Sequence, residues 1–185
     1  MRIHKLCSLM AAVTFAGVVA CGFESNITYP VLPAEEFEAA MSGAQEIPAV
    51  TTTATGTARF AVLYDTILAF RIDVAGIDST TAAHIHEGAA GASGPILVTL
   101  FTAPTVCTSS NVASPRCRAG FTGPLAQGQV RPSQMRDTTM SGYGVTLRDR
   151  YDSLLVRINN GTVYVNVHNR ANPGGHMRGQ TAPVP

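Results

Sequence analysis

Apolar and polar residues alternate along most of the chain after residue 35, which is the pattern of strands that bury one face. Phe37, Ala39 and Met41, for example, alternate with Glu38 and Ala40. Because successive side chains of a strand point to opposite faces, a period of two predicts half-buried β-strands. The predicted strands cover residues 36–41, 55–62, 68–74, 83–87, 96–101 and 162–168, with a shorter one at 121–125.

One stretch has a helical period instead. Four apolar residues follow the i, i+3, i+4, i+7 spacing of one helix face: Tyr151, Leu154, Leu155 and Ile158. Thr146 and Asp149 have the spacing of a capping box with aspartate in place of glutamate, and Asn160-Gly161 is a typical helix stop. A strand over 154–158 is the alternative. The whole pattern predicts an all-β fold, an antiparallel β-sandwich or barrel of Greek-key type with one short helix near 147–159.

The first 35 residues have the composition of an export signal and a tether. Arg2 and Lys5 precede an uncharged apolar stretch, and residues 18–21 read Val-Val-Ala-Cys. A small residue followed at once by cysteine is typical of bacterial lipoproteins, whose cysteine receives acyl chains, including palmitate, after cleavage. A transmembrane anchor is the alternative, although the apolar run is shorter than the roughly 20 residues that a span needs.

This pattern predicts a signal peptide over 1–20, lipidation of Cys21 and a tether over 21–35. The folded domain would cover 36–181 and leave a tail at 182–185. The membrane would then be a partner through the lipid anchor. The protein is expected to be exported and held in the bacterial cell envelope, at the outer membrane or the periplasmic face.

The cysteines that remain after export form a pair. Cys7 would be lost with the signal and Cys21 would be lipidated, which leaves Cys107 and Cys117. Thiols in an oxidising compartment form disulfides, so the sequence predicts a Cys107–Cys117 bond that closes a polar loop. A metal-binding pair is the alternative, although the spacing matches no familiar zinc pattern.

The charge balance argues against one class of partner. The chain has 13 basic and 12 acidic residues, for a net charge of +1. Loss of Arg2 and Lys5 with the signal would leave 11 basic residues, none of them lysine. Nucleic-acid binding needs a basic patch, so no nucleic-acid partner is predicted.

Two predicted strands carry histidines on their polar faces. Strand 83–87 has His84 and His86 on one face, and strand 162–168 has His168 on the face opposite its valines. Because the core must cover the apolar side of each strand, these imidazoles are expected on the outer face of the fold. If the two strands are neighbours, the imidazoles lie within reach of one ion.

Imidazole nitrogens are common ligands of zinc and copper. With His176 supplied by the following turn, the histidines form a hypothetical copper or zinc site made of His84, His86, His168 and His176. The alternative is that they only hydrogen-bond to the backbone of nearby glycine loops. Glu87 and Arg178 could then pair across the sheet for the same structural purpose.

Several separated motifs occur in order along the chain: residues 42–48, 56–58, 83–86 with Gly88, Gly91, Gly94 and Pro95, then Gly161 with 164–168, 172–175 and 178–180. Together they resemble the CHRD domain, a family named for chordin and widespread in exported bacterial proteins. The resemblance covers roughly residues 36–180. The motif residues that it marks besides the histidines are Glu87, Gly94, Pro95, Asn166, Arg178 and Gly179.

The resemblance implies the fold more directly than the activity. In animals the domain is associated with growth-factor binding, so it implies a binding or structural module with a protein partner on the cell surface or in the periplasm. No enzymatic activity and no catalytic residue are predicted, and metal-dependent redox activity is the alternative. The family usually has an acidic residue before Met177-Arg178-Gly179, where this chain has His176. That departure bears directly on the predicted metal site.

The His-x-His strand is also similar to copper/zinc superoxide dismutases, which hold copper outside a β-barrel on such strands. This chain lacks the long histidine- and aspartate-bearing zinc loop of those enzymes, so dismutase activity is not predicted. Two functional hypotheses follow. The first is an envelope-anchored CHRD lipoprotein that acts as a binding or structural module. The second is a small copper- or zinc-binding protein with its histidine cluster on a dismutase-like β scaffold.

Changing Cys21→Ser is expected to release the protein from the membrane fraction, because serine has no thiol to accept a diacylglyceryl group. The matched control is Cys7→Ser, which lies inside the removed segment and should leave fractionation unchanged. The measurement is membrane fractionation together with incorporation of an acyl label. A Cys21→Ser protein that keeps both its label and its membrane association would contradict lipidation at this residue.

The disulfide prediction is checked by mass spectrometry of non-reduced peptides. Peptides that contain Cys107 and Cys117 are expected to be linked, because these are the two thiols left after export. Recovery of both cysteines as free, alkylatable thiols from the exported protein would reject the bond.

Overall fold

The structure is a computed structural model that describes residues 35–104, 114–135 and 146–185. The signal peptide, the lipidation residue Cys21 and nearly all of the tether fall outside these ranges. Cys107 does as well, whereas Cys117 lies in the short 3-10 turn Pro115–Cys117. The lipidation and the disulfide therefore stay predictions.

The described residues form a single antiparallel sheet. Its strands are β1 (Glu36–Ser42), β2 (Thr55–Leu63), β3 (Ile67–Ile77), β4 (Thr80–Glu87), β5 (Ile96–Thr102), β6 (Phe121–Val130), β7 (Val163–Asn169), β8 (Met177–Gln180) and β9 (Ala182–Pro183). The spatial order is β5-β4-β7-β8-β1-β2-β3-β6, with β9 paired to β1. Edge strands β5 and β6 contact each other, so the sheet nearly closes into a barrel. The predicted all-β class is confirmed, and long connections bring β7 beside β4 and β8 beside β1.

The barrel interior takes the apolar face that the sequence indicates for each strand. Ala83 and Ile85 of β4 and the three valines of β7, at 163, 165 and 167, are completely buried. Each fully buried large aliphatic side chain contributes about 1.5–3 kcal/mol. A slip of one residue in either strand would expose this whole set, so burial also fixes the register of β4 against β7.

The helix α1 (Leu147–Asn159) lies where its period predicts, and the alternative strand is wrong. Thr146 Oγ1 accepts from the Asp149 backbone at 3.1 Å, and an Asp149 carboxylate oxygen accepts from the Thr146 backbone at 3.0 Å, which completes the capping box. Tyr151, Leu154 and Ile158 are fully buried on one face. Within the described ranges, no helix has the combination of length and apolar character that crossing a membrane requires.

The structure differs from the sequence prediction at three strands. β6 extends to Val130, whereas the prediction ended at residue 125 because glycines and Pro124 interrupt the alternation of apolar and polar residues. Pro124 lies where the β3–β6 register shifts, and such an irregularity tolerates a residue without a backbone N–H. β8 was missed because Met177, Arg178 and Gly179 are all buried and give no period of two. β9 lies in the segment predicted as a tail.

Changing Gly179→Ala is expected to lower the free energy of unfolding by about 1–3 kcal/mol, the usual cost of overpacking. The added Cβ would collide with the carbonyl oxygen of Ala40 on neighbouring β1, and backbone cannot move aside cheaply. Gly174→Ala is the matched control, since no heavy atom lies within 4 Å of its added Cβ, and should shift stability by less than about 0.5 kcal/mol. Urea unfolding measures both variants. Equal stability of the two would show that β8 does not pack against β1 as described.

Candidate metal centre

The outer face of β4, β7 and β8 is covered by loops. Tyr164, Asn166 and His168 point away from the valine core of β7, yet they are only 4%, 2% and 8% exposed. Residues 43–54, 88–95 and 170–176 supply contacts to this face. The histidines therefore lie on the non-core side of the sheet, as predicted, but in a second, polar interior.

Three histidines converge in this polar layer. β4 and β7 are antiparallel neighbours, with Ala82 opposite His168 and His84 opposite Asn166. The ligand nitrogens of His84, His86 and His168 all lie within 4.8 Å of one another. The sequence left open whether the two strands that carry the histidines are neighbours. In the structure they are, as β4 and β7.

The closest pair is His84 and His168. Nδ1 of His84 lies 2.9 Å from Nε2 of His168, which is hydrogen-bond distance. Two nitrogens on one tetrahedral metal ion, each bonded at about 2.0 Å, lie roughly 3.3 Å apart. The shared proton therefore occupies the position that an ion would take between these two rings.

Backbone carbonyls orient two of the three rings. Nδ1 of His86 lies 3.0 Å from the carbonyl oxygen of Gly94, and Nδ1 of His168 lies 2.9 Å from that of Pro173. A carbonyl can only accept, so each Nδ1 carries the proton and each Nε2 keeps its lone pair. A metal-binding histidine commonly donates a hydrogen bond from its other ring nitrogen to a backbone carbonyl, which fixes the orientation of the ring.

The lone pair that His86 presents to the cluster is buried. Nε2 of His86 is shielded from solvent and has no hydrogen-bond partner among the described residues. Burial lowers the pKa of the His86 and His168 imidazoles below their ordinary value, against the raising effect of the Gly94 and Pro173 carbonyls. Both rings are therefore neutral near pH 7, which is the state that binds metal.

His176 does not join this cluster, contrary to the predicted four-histidine set. Its Nδ1 lies 2.9 Å from the side-chain amide nitrogen of Asn172, which donates to it. Its Nε2 lies 3.2 Å from Thr52 Oγ1, and the neutral ring must donate there. Both nitrogens are thus committed, because residues 172–175 direct the ring toward the loop before β2. The departure from the family pattern at this position supplies a loop contact and no ligand to the three-histidine cluster.

An aromatic and charged stack lies behind His86. The Tyr164 ring is parallel to the His86 ring, with centroids 5.0 Å apart. The Arg178 guanidinium carbon lies 3.4 Å from the Tyr164 ring centre, and a guanidinium nitrogen of Arg178 donates to the Ala89 carbonyl at 3.1 Å. Tyr164 and the loop residue Ala89 were not predicted as site residues. The alternation of β7 places Tyr164 on the histidine face, and that signal was available.

Glu46 is the other site residue that sequence reasoning missed. Its carboxylate accepts from the Asn166 amide at 2.7 Å. Burial raises the pKa of Glu46 to about 7, although the Arg178 charge and the hydrogen bonds from Ile47 and Asn166 oppose that shift. Its place in the motif at 42–48 was visible, but nothing in the sequence indicates that this loop covers β7.

The remaining motif residues hold loops and strands together. Glu87 forms its ion pair with Arg157 of α1 at 3.0 Å, so the predicted pairing of Glu87 with Arg178 is wrong. Gly94 packs so closely that an added Cβ would strike the Glu87 carbonyl, and Pro95 O accepts from the Glu87 backbone at 3.0 Å. These contacts close the loop whose Gly94 carbonyl orients His86.

Comparison with known proteins yields a family but no individual relative. The family model described as the CHRD domain matches residues 37–181. No curated protein matches, and no solved structure matches. The matched span runs from β1 to the residue after β8 and includes all three clustered histidines. Because that span covers most of the chain, the protein belongs to the CHRD domain family.

Proposed function

We propose that this protein binds copper or zinc through His84, His86 and His168, as an exported and lipid-anchored member of its family. The observation that carries the proposal is the convergence of three imidazoles on the non-core face of β4 and β7. Two of these imidazoles are held by backbone carbonyls so that Nε2 points away from the supporting bond.

The donor set fits a transition metal in chemistry and nearly in spacing. Imidazole nitrogens suit zinc and copper, whereas calcium and magnesium prefer oxygen. Ligands on opposite sides of one ion are at most about 4 Å apart, so nitrogens within 4.8 Å need a shift of about 1 Å or less to close on it. His84 also has to give up the Nδ1 proton that it shares with His168 or present its other nitrogen.

A buried ring nitrogen without a hydrogen-bond partner supports metal binding over a purely structural role for the histidines. A histidine kept only for hydrogen bonding would satisfy both ring nitrogens, as His176 does. Nε2 of His86 instead stays buried without a partner, which costs about 1–3 kcal/mol in a folded protein. A bound ion would satisfy that nitrogen.

Export and lipidation are supported by the sequence of the first 21 residues, which has a basic start, an apolar stretch and a small residue before Cys21. The cell envelope is where such a protein would meet its metal. A binding or structural module with a protein partner remains the competing function. It is the function left if the histidines bind no metal.

The test compares metal binding by the wild type and by a His84→Ala, His86→Ala, His168→Ala variant. The chains are purified without a histidine tag and titrated with copper and zinc. The wild type is expected to bind one equivalent, and the variant to lose at least about 100-fold in affinity because no ligand remains. His176→Ala is the matched control and should bind as the wild type does, since its nitrogens are engaged elsewhere.

Two results would overturn the metal site. One is the absence of copper and zinc binding by a wild type whose β-rich circular dichroism spectrum shows it to be folded. The other is equal affinity of the wild type and the triple variant. Loss of binding in His176→Ala alone would place the ligand set elsewhere on this face.

A further inference from the structure

We infer that the three-histidine cluster selects copper in its monovalent state, Cu(I), over both Cu(II) and Zn(II). The inference rests on the proposed function, since it names the ion for the same site. It is argued from the charge, burial and number of the ligands and from the position of Arg178.

The ligand set carries no negative charge. Among the described residues, the clustered donors are three imidazoles, and no carboxylate or thiolate is grouped with them. Glu87, the acidic neighbour of His86 in sequence, forms an ion pair with Arg157. An ion at this cluster would therefore keep its full charge of +1 for Cu(I) or +2 for Cu(II) and Zn(II).

Burial penalises the divalent ions more heavily. His86 and His168 are only 9% and 8% exposed, His84 is half-buried, and loops cover the face on which they lie. The free-energy cost of moving an ion from water into a medium of low dielectric rises with the square of its charge. In a buried centre made of neutral ligands, this desolvation cost is thus about four times as large for a +2 ion as for a +1 ion.

Arg178 adds to this preference. Arg178 is 2% exposed, and its guanidinium stacks on Tyr164, whose ring also stacks on the His86 ring. The positive charge is thereby fixed one aromatic ring away from a proposed ligand. The Arg178 charge acts on the carboxylate of Glu46, whose pKa near 7 leaves it only partly ionised at neutral pH. Arg178 therefore repels a divalent ion about twice as strongly as a monovalent one.

The number of ligands points the same way. Zinc sites in proteins are almost always four-coordinate, so zinc would need a further donor besides these three imidazoles. Cu(I) is stable with two or three ligands. The Gly94 and Pro173 carbonyls accept hydrogen bonds from Nδ1 of His86 and His168. These bonds orient the two rings without adding a fourth donor to the ion.

The experiment measures the affinity of the tag-free mature chain for Cu(I), Cu(II) and Zn(II) separately, each by competition with a chelator of known affinity. It also measures the reduction potential of the bound copper. One electron from the titrant converts Cu(II) to Cu(I), and no bond or proton need change because the ligands are neutral in both states. At one fixed pH, Cu(I) is expected to bind at least about tenfold more tightly than Cu(II), which places the potential at least about 59 mV above that of aqueous copper.

Substitution of Arg178 separates its charge from its packing. Arg178→Gln should lower the ratio of Cu(I) to Cu(II) affinity by roughly tenfold, a fall of about 59 mV in potential. Arg178→Lys should retain the wild-type potential because it keeps the positive charge. Arg59→Gln is the control, since Arg59 is an exposed residue of β2 paired with Glu38. If Arg178→Gln does not fold, the three wild-type affinities and the potential still decide the inference.

The outcomes separate the inference from the function on which it rests. A wild type that binds none of the three ions overturns the metal site itself. Binding that is tighter for Zn(II) than for Cu(I), or a copper potential below the aqueous value, overturns the choice of Cu(I) and leaves the metal site standing. An unchanged potential in a folded Arg178→Gln variant overturns the role of Arg178.

Discussion

The candidate centre depends on the antiparallel pairing of β4 with β7 in one register. Buried apolar residues fix that register, because Ala83, Ile85 and the β7 valines must all face the barrel core. The same alternation turns His84, His86 and His168 to the opposite side. Core packing therefore positions the ligands without any contribution from the ligands themselves, and a one-residue slip would destroy the core and the site together.

The loops over this face make it a site rather than a row of surface histidines. Gly94 and Pro173 are loop residues whose carbonyls bind the outer nitrogens of two rings. Close approach explains the glycines nearby: at Gly175, with φ near 147°, an added Cβ would collide with Asn166 and crowd the Glu46 carboxylate. Gly, Asn and Pro residues thus pack tightly enough to bury polar side chains and keep imidazoles neutral.

Local patterns predict what is local in this protein. The period of two identified the strands that carry the histidines, and the helical period with its Thr146–Asp149 cap identified α1. β8 was missed because both of its faces are buried, so its four residues show no alternation. The loop cover was missed because contacts such as Glu46 with Asn166, which are 120 residues apart, leave no mark on either segment alone.

The same distinction explains the outcome for His176. Its place in the turn after the second histidine strand made it a reasonable ligand from sequence, but a ligand must also point toward the other histidines. Asn172 and Thr52 fix that direction, and Thr52 lies more than a hundred residues away in the chain. The strands that carry the histidines and the face on which those histidines lie could be predicted from the pattern. The adjacency of the two strands and the direction of one side chain on a loop could not.

X-ray absorption spectroscopy of the metal-loaded protein tests the central claim most directly, because it counts the donors around the ion. Fine structure at the metal edge is expected to show three nitrogen donors at about 2 Å, with the multiple scattering that imidazole rings produce. Loss of the imidazole signal in the His84→Ala, His86→Ala, His168→Ala variant would complete the assignment. A first shell made mainly of sulfur, or of oxygen without imidazole scattering, would contradict a centre built from these three histidines.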